Sequence, residues 1–489
     1  MSGVVGGPVR AGCLCLMAGW AAVFAPCAAA AQSAPTTPPT QEQQQPGNGA
    51  QVKTGTNSGL NTDVRLQNLL ADHQFFRVAD ELDQLPPEEA QLYRGVLANR
   101  QNDTKKSIEL LEPLIEKVAA SGDTAHEKLL RKALAEDYLR EGDMAKAAKA
   151  YQTLETRVGA KLSGDEKDEI EMPLKMLPLA TTNPPMTVDA CDPFVMQVSK
   201  DPLGLTDIPV FVDAMPHSWM LDPTAPFNLI ARSLAREVGL KVSDEAVTIH
   251  TLTGKLMQVH VTIIPRFTIG GRLTLHNMTA FVFEDADYFF PKTKYQVEGV
   301  LGYSALEALG SLTITSDATV EVKPDKGAPN PKDAAAAKDA AGPKDAGAKD
   351  AGARGAHFFL DGDQIILALG PVGNERMFAV DAGGQQSYFT SRYFDEHANE
   401  FSGQKAQPFS IPGTESQAQP AYVAESAPLD VGGTVVHAHY IQVLTQPAGN
   451  AALDDVYGVL GVDVLDQFRR YTFDYRSMRF SVGPEDGAR

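Results

Sequence analysis

Two short stretches of this chain share one pattern, and their spacing restricts the folds open to it. In Met377-Phe-Ala-Val-Asp-Ala-Gly-Gly-Gln-Gln-Ser-Tyr-Phe389 an apolar run stops at Asp381, two glycines follow, and an apolar and aromatic run resumes. That order predicts a strand, a sharp turn that glycine permits, and a return into structure, with the carboxylate at the turn. Trp219-Met-Leu-Asp-Pro-Thr-Ala-Pro-Phe-Asn-Leu-Ile230 has the same plan, with Asp222 the first polar residue after its apolar run, 159 positions before Asp381. The same offset carries Gly254 onto Gly413, Leu306 onto Leu465, and Gly299-Val-Leu-Gly302 onto the identical Gly458-Val-Leu-Gly461. Agreement at so many places predicts an internal repeat of about 130 residues, present twice.

A strand ending in Asp-Thr-Gly-Ala, a flap hairpin bearing a glycine, and an apolar Gly-Val/Ile-Leu-Gly stretch follow one another in a retropepsin-like aspartic protease lobe. The chain resembles two such lobes in one polypeptide, the pepsin-type arrangement, over residues 188–325 and 356–483. The resemblance implies a mainly β fold of two pseudo-symmetric lobes and hydrolysis of peptide bonds in extended segments. It implies Asp222 and Asp381 as the catalytic pair. Two carboxylates brought together cannot both ionise, so they hold one proton between them. One activates a water as general base and the other protonates the scissile carbonyl. Thr224, Ala225, Gly383 and Gly384 are then the turn residues supporting the carboxylates and the water, and Thr253, Gly254, Pro412 and Gly413 the flap residues. The resemblance implies no cofactor and no metal.

The turns depart from the family pattern. Asp222-Pro223-Thr224-Ala225 and Asp381-Ala382-Gly383-Gly384 stand where the family has Asp-Thr-Gly-Ala. The family's Thr hydroxyl ties one turn to the other; Pro223 and Ala382 carry none, so that brace is expected to be missing on both sides. Thr224 stands where the family has a glycine that donates an amide to the carboxylate, so Thr224→Gly is expected to raise activity if the first turn is limiting. These departures leave a second reading beside the endopeptidase: a non-catalytic relative that keeps the cleft for peptide binding or assembly.

The remaining sequence supplies context. Arg10, the apolar stretch from Cys13 to Cys27 and Ala28–Ala31 make a secretory signal over residues 1–31, cleaved near Ala31, for export to the periplasm of a bacterium or beyond, with no integral span afterwards. Its removal takes three of the four cysteines and leaves Cys191, so no intrachain disulfide is expected. Residues 32–60, rich in Gln, Pro, Thr and Gly, read as a disordered tether. From 61 to 182 the apolar spacing turns helical, and Ala133–Tyr151 resembles a tetratricopeptide-like hairpin, with a weaker copy near Asn102-Asp103. That segment is expected to pack on the body or to offer a protein partner a docking surface. Residues 326–355, with Lys-Asp-Ala recurring at 332, 338, 344 and 349, read as a low-complexity link. A net charge of −19 argues against nucleic acid as a partner. His437-Ala-His439 places two imidazoles on one strand face without a third ligand nearby in sequence and reads as a solvated face.

Overall fold

A computed structural model describes residues 57–180, 183–250, 256–324, 355–362, 364–411, 418–449 and 451–483. The leader, most of the tether, the 326–355 link apart from Gly355, and the flap residues Thr253, Gly254, Pro412 and Gly413 lie outside the described residues.

The first part of the described chain is helical, and the punctuation of the helices is written in the sequence. Asp103, Asp123 and Asp143 each accept a hydrogen bond from a first-turn amide of the helix that follows, in Thr104–Leu111, Thr124–Arg140 and Met144–Val158. An N-cap of this kind satisfies donors that the helix itself cannot pair. Asn102 and Gly142, one residue before two of these caps, both turn the chain with a left-handed backbone, at φ 57° and 74°. The first helix starts at Asn57, inside the stretch read as tether to residue 60.

These helices pack on the β body. The Phe75 and Phe76 rings lie 4.6 and 5.3 Å from Phe359. Asp361, at the end of the strand that carries Phe359, pairs with His73 and Arg100, each at 2.9 Å. On the other lobe the Asn102 amide donates to Glu307 at 2.6 Å and to the Tyr303 hydroxyl at 3.2 Å. Arg100, with His73 beside it, holds the Asp361 carboxyl well below the usual carboxylate range against the opposing effect of its burial. A carboxyl whose folded value is depressed contributes stability above its unfolded value and loses it as pH falls through the folded value. Asp361→Asn is therefore expected to cost about 1–3 kcal/mol at neutral pH, with the gap closing in strong acid; thermal unfolding across pH measures it.

Among the described residues the β body has two large sheets, of 13 and 9 strands, and a small pair formed by Phe289–Phe290 and Tyr295–Gln296. In the larger, the strands run in space as 407–409, 419–431, 434–444, 388–389, 458–460, 376–380, 364–369, 356–361, 479–482, 470–474, 311–315, 319–323 and 194–197. Its last six strands come from both halves of the chain. At their centre Ser311–Thr315 pairs antiparallel with Arg470–Asp474, and Thr313 faces Thr472. These two residues are 159 positions apart and their hydroxyls hydrogen-bond at 2.8 Å, so the axis relating the halves passes between them. Such a continuous sheet joins the halves through backbone hydrogen bonds.

Within each half a short central strand carries the shared tetrapeptide. Gly299–Leu301 lies parallel to Met215–Leu221 and antiparallel to Leu229–Ala231. Gly458–Leu460 lies parallel to Arg376–Val380 and antiparallel to Tyr388–Phe389. The glycines answer to close approach. A Cβ on Gly299 would stand 2.3 Å from the buried Trp219 ring, and one on Gly302 would stand 2.2 Å from the Phe227 carbonyl oxygen, so neither position admits a side chain. The helix that follows runs over Arg232–Glu237, because Ile230 is taken up by the strand that flanks Gly299. Gly270 and Gly271, both with positive φ, turn the chain between Leu256–Ile269 and Leu273–Phe283, as their sequence requires.

Candidate active site

Each aspartate sits where its strand ends, and the tetrapeptide strand holds its backbone. The Asp222 amide donates to the Leu301 carbonyl at 3.1 Å and the Asp381 amide to the Leu460 carbonyl at 2.9 Å. Just beyond, Tyr303 donates to the Ala225 carbonyl and Val462 to the Gly384 carbonyl. The amides of Gly302 and Gly461 are taken by the Asn228 and Ser387 side chains, at 3.1 and 2.7 Å. Every one of these pairs is separated by the 159-residue offset.

The two turns meet at Gly383. A Cβ built there would lie 2.5 Å from Asp222 Oδ2 and 3.7 Å from Asp381 Oδ1, so the two carboxyls converge on one point and are no farther apart than those distances sum to. Asp222 is buried, 7% exposed, and Asp381 is half-buried.

The brace between the turns is present, contrary to the sequence expectation. Thr224 Oγ1 donates to Asp222 Oδ1 at 2.8 Å and accepts from the Ala382 amide of the other lobe at 3.0 Å. Pro223 occupies the position after the aspartate, so the bridging hydroxyl comes one residue later. Thr224 does not disturb the first turn either: its amide and that of Ala225 each donate to Asp222 Oδ1 at 3.0 Å. Thr224→Gly is accordingly expected to lower cleavage rather than raise it. Thr224→Ala and Thr224→Gly remove the hydroxyl and leave the buried Ala382 amide without its acceptor, a cost of about 1–3 kcal/mol. Thr224→Ser retains the hydroxyl and should keep most of the stability and activity. Thermal melting and peptide turnover across the three variants measure this.

Burial raises the Asp222 carboxyl above its ordinary value, against three hydrogen bonds that favour its charged form. Burial also raises Asp381, and the Asp222 charge raises it further, while the Gly384 and Gly383 amides pull the other way. A pair so placed keeps one proton where an isolated carboxylic acid would have lost it. One member can then accept a proton from water while its partner donates one to a carbonyl.

Thr224, Ala225, Gly383 and Gly384 are thus brought around the two aspartates. Three residues not singled out in the sequence join them. Asn228 and Ser387 fix the tetrapeptide glycines, and their 159-residue spacing would have found them. Tyr288 lies near enough that the charges of both aspartates, after its burial, hold its phenol un-ionised; no sequence signal marks it.

A family comparison reaches the first of the two turns. Residues 208–305 match the aspartyl protease family. No relative was detected among curated proteins. Among solved structures, a retropepsin-like aspartic protease from Rickettsia conorii is 19% identical, with 28% of this chain and 92% of that one covered and a TM-score of 0.20. Conglutin gamma, a basic 7S globulin of lupine seeds, and basic 7S globulin of soybean are each 10% identical, with 60% of this chain and 95% and 94% of theirs covered and TM-scores of 0.35. The stretch that matches the aspartyl protease family is thus the part of the first lobe that carries Asp222 at the head of its turn.

Proposed function

We propose that this protein is an exported aspartic endopeptidase in which Asp222 and Asp381 share a proton and activate a water against a peptide bond. The observation that carries this reading is the convergence of the two carboxyls on Gly383, with Thr224 tying one turn to the other. The paired strands Val242–His250 and Leu256–Ile269 flank the flap residues Thr253 and Gly254, and Gln407–Phe409 with Gln419–Val431 flank Pro412 and Gly413. An extended peptide lying between these hairpins and the aspartates is the substrate that this layout suits. The leader read over residues 1–31 supports export, and the matched turns support a duplicated ancestry.

A peptide in which a secondary alcohol replaces the scissile amide tests the reading. Its tetrahedral carbon and hydroxyl resemble the hydrated carbonyl, so an enzyme complementary to that state binds it at least about 100-fold more tightly than the parent peptide. Equal affinity for alcohol and parent, with no cleavage of the parent, would leave the scaffold as a peptide-binding module.

A further inference from the structure

A second polar constellation lies on the first lobe, beside the strand that leads to Asp222. Asp207, Pro216, His217, Ser218, Tyr295 and Glu298 line most of an open surface cavity of about 420 Å³. Asp207 is 7% exposed. Its Oδ2 has Ser218 and Tyr295 hydroxyls at 3.4 Å, and its Oδ1 is buried without a hydrogen-bond partner. Behind it Asp201 uses one carboxylate oxygen to accept from the Leu203 and Leu205 amides, and its other oxygen is also buried and unpartnered. His217 faces Glu298 through Nδ1 at 3.0 Å, and a carboxylate can only accept, so that nitrogen carries the hydrogen. The other ring nitrogen, Nε2, is buried without a partner.

The orphaned oxygens of Asp207 and Asp201 are acceptors, and buried polar atoms are ordinarily paired. What they lack is a group with several N–H donors and a positive charge. Among the described residues no set of three or more His, Cys, Asp and Glu side chains is arranged to hold a metal ion, so a planar or tetrahedral nitrogen cation suits the site better. Burial, and then the Asp201 charge, push the Asp207 carboxyl up to about 6, as expected of a carboxyl pair with no cation between them.

The cavity also has a fixed relation to the aspartates. Asp207 pairs with Met220 across the sheet, and Ser218, Met220 and Asp222 alternate onto one face of their strand. At about 3.3 Å per residue, Met220 and the Asp207 that faces it stand roughly 7 Å from Asp222 along the strand, and Ser218 roughly 13 Å, about two and four residues of an extended chain.

We propose that this cavity receives the side chain of a lysine or arginine in the peptide substrate, two to four residues from the bond that is cut. The proposal rests on the endopeptidase reading for its substrate, and its test separates the two. The Asp381→Asn full-length protein is titrated with matched decapeptides that carry arginine, lysine, norleucine or glutamate at each position in turn. Arginine or lysine at one position should bind roughly ten- to a hundredfold more tightly than norleucine, as expected of charge-assisted hydrogen bonds, and glutamate more weakly than either. Asp207→Asn in that background should erase the preference. Glu298→Gln, at the more exposed rim, should reduce it without touching the buried carboxyl. Equal binding of all four peptides, or a preference that survives both substitutions, overturns the pocket. Cleavage by the wild type that ignores basic residues sinks the pocket and leaves the endopeptidase standing. A basic preference in binding without any cleavage by the wild type sinks the endopeptidase and leaves the pocket.

Discussion

Asp381→Asn and Asp222→Asn are each expected to lower kcat/KM for peptide cleavage by at least about 1,000-fold, with the double variant no worse than either single one. Asparagine nearly keeps the shape of aspartate, but it can neither take a proton from water nor share one with its partner. Chemistry that needs both groups is lost when either goes, so the second substitution finds nothing left to remove. Stability is expected to move the other way. Both carboxyls are raised by burial, so the folded protein binds protons more readily than the unfolded chain, and stability falls as pH rises from the unfolded carboxylate value, about 3.9, through the folded one. Asparagine carries no charge to bury. Each variant should therefore melt above wild type at neutral pH, with the difference closing as pH drops below the unfolded value. Loss of cleavage together with a lower melting temperature at pH 7 would indicate a packing defect instead of a chemical one.

Gly383→Ala carries the second large effect. Gly383 has no left-handed backbone that alanine would strain, so the methyl group itself is the perturbation. Its carbon would stand 2.5 Å from Asp222 Oδ2, inside contact distance, and the carboxyl has to swing aside. Displacing a reacting group by about 1 Å costs on the order of 100-fold in rate. The expected result is a fall in kcat of that order with KM little changed, since the methyl group sits between the carboxyls and not along the peptide. A fall confined to KM would mean that the substrate lies where the carboxyls are taken to meet.

Much of the site was legible because it depends on repetition, which a single sequence displays. The 159-residue offset gave the two aspartates and both copies of Gly-Val-Leu-Gly. In the structure the same offset relates the amides of Asp222 and Asp381, the side chains of Asn228 and Ser387, and the Thr313–Thr472 pair. The brace escaped because it was sought at the family's position. Pro223 shifts the hydroxyl by one residue, and only the folded turn reveals that Thr224 reaches both Asp222 and Ala382. The acidic cavity escaped for a related reason. Asp207, His217 and Glu298 lie on separate strands and loops with no shared spacing, and only the fold brings them to one cavity. The attachment of the helices is similar: nothing around Asp361 announces that His73 and Arg100 will converge on it from almost 300 residues away.

The pH profile of kcat/KM, measured on one peptide substrate with the wild-type protein, tests the shared-proton pair most directly. Hydrolysis that needs one carboxylate and one carboxylic acid gives a bell, falling in acid as the pair gains its second proton and falling in base as it loses its last. Because burial and the neighbouring charge raise Asp381, the basic limb should lie well above the ordinary carboxylate range. A rate that keeps climbing through neutral pH, as for a single ionised base, or no cleavage at any pH, would contradict it.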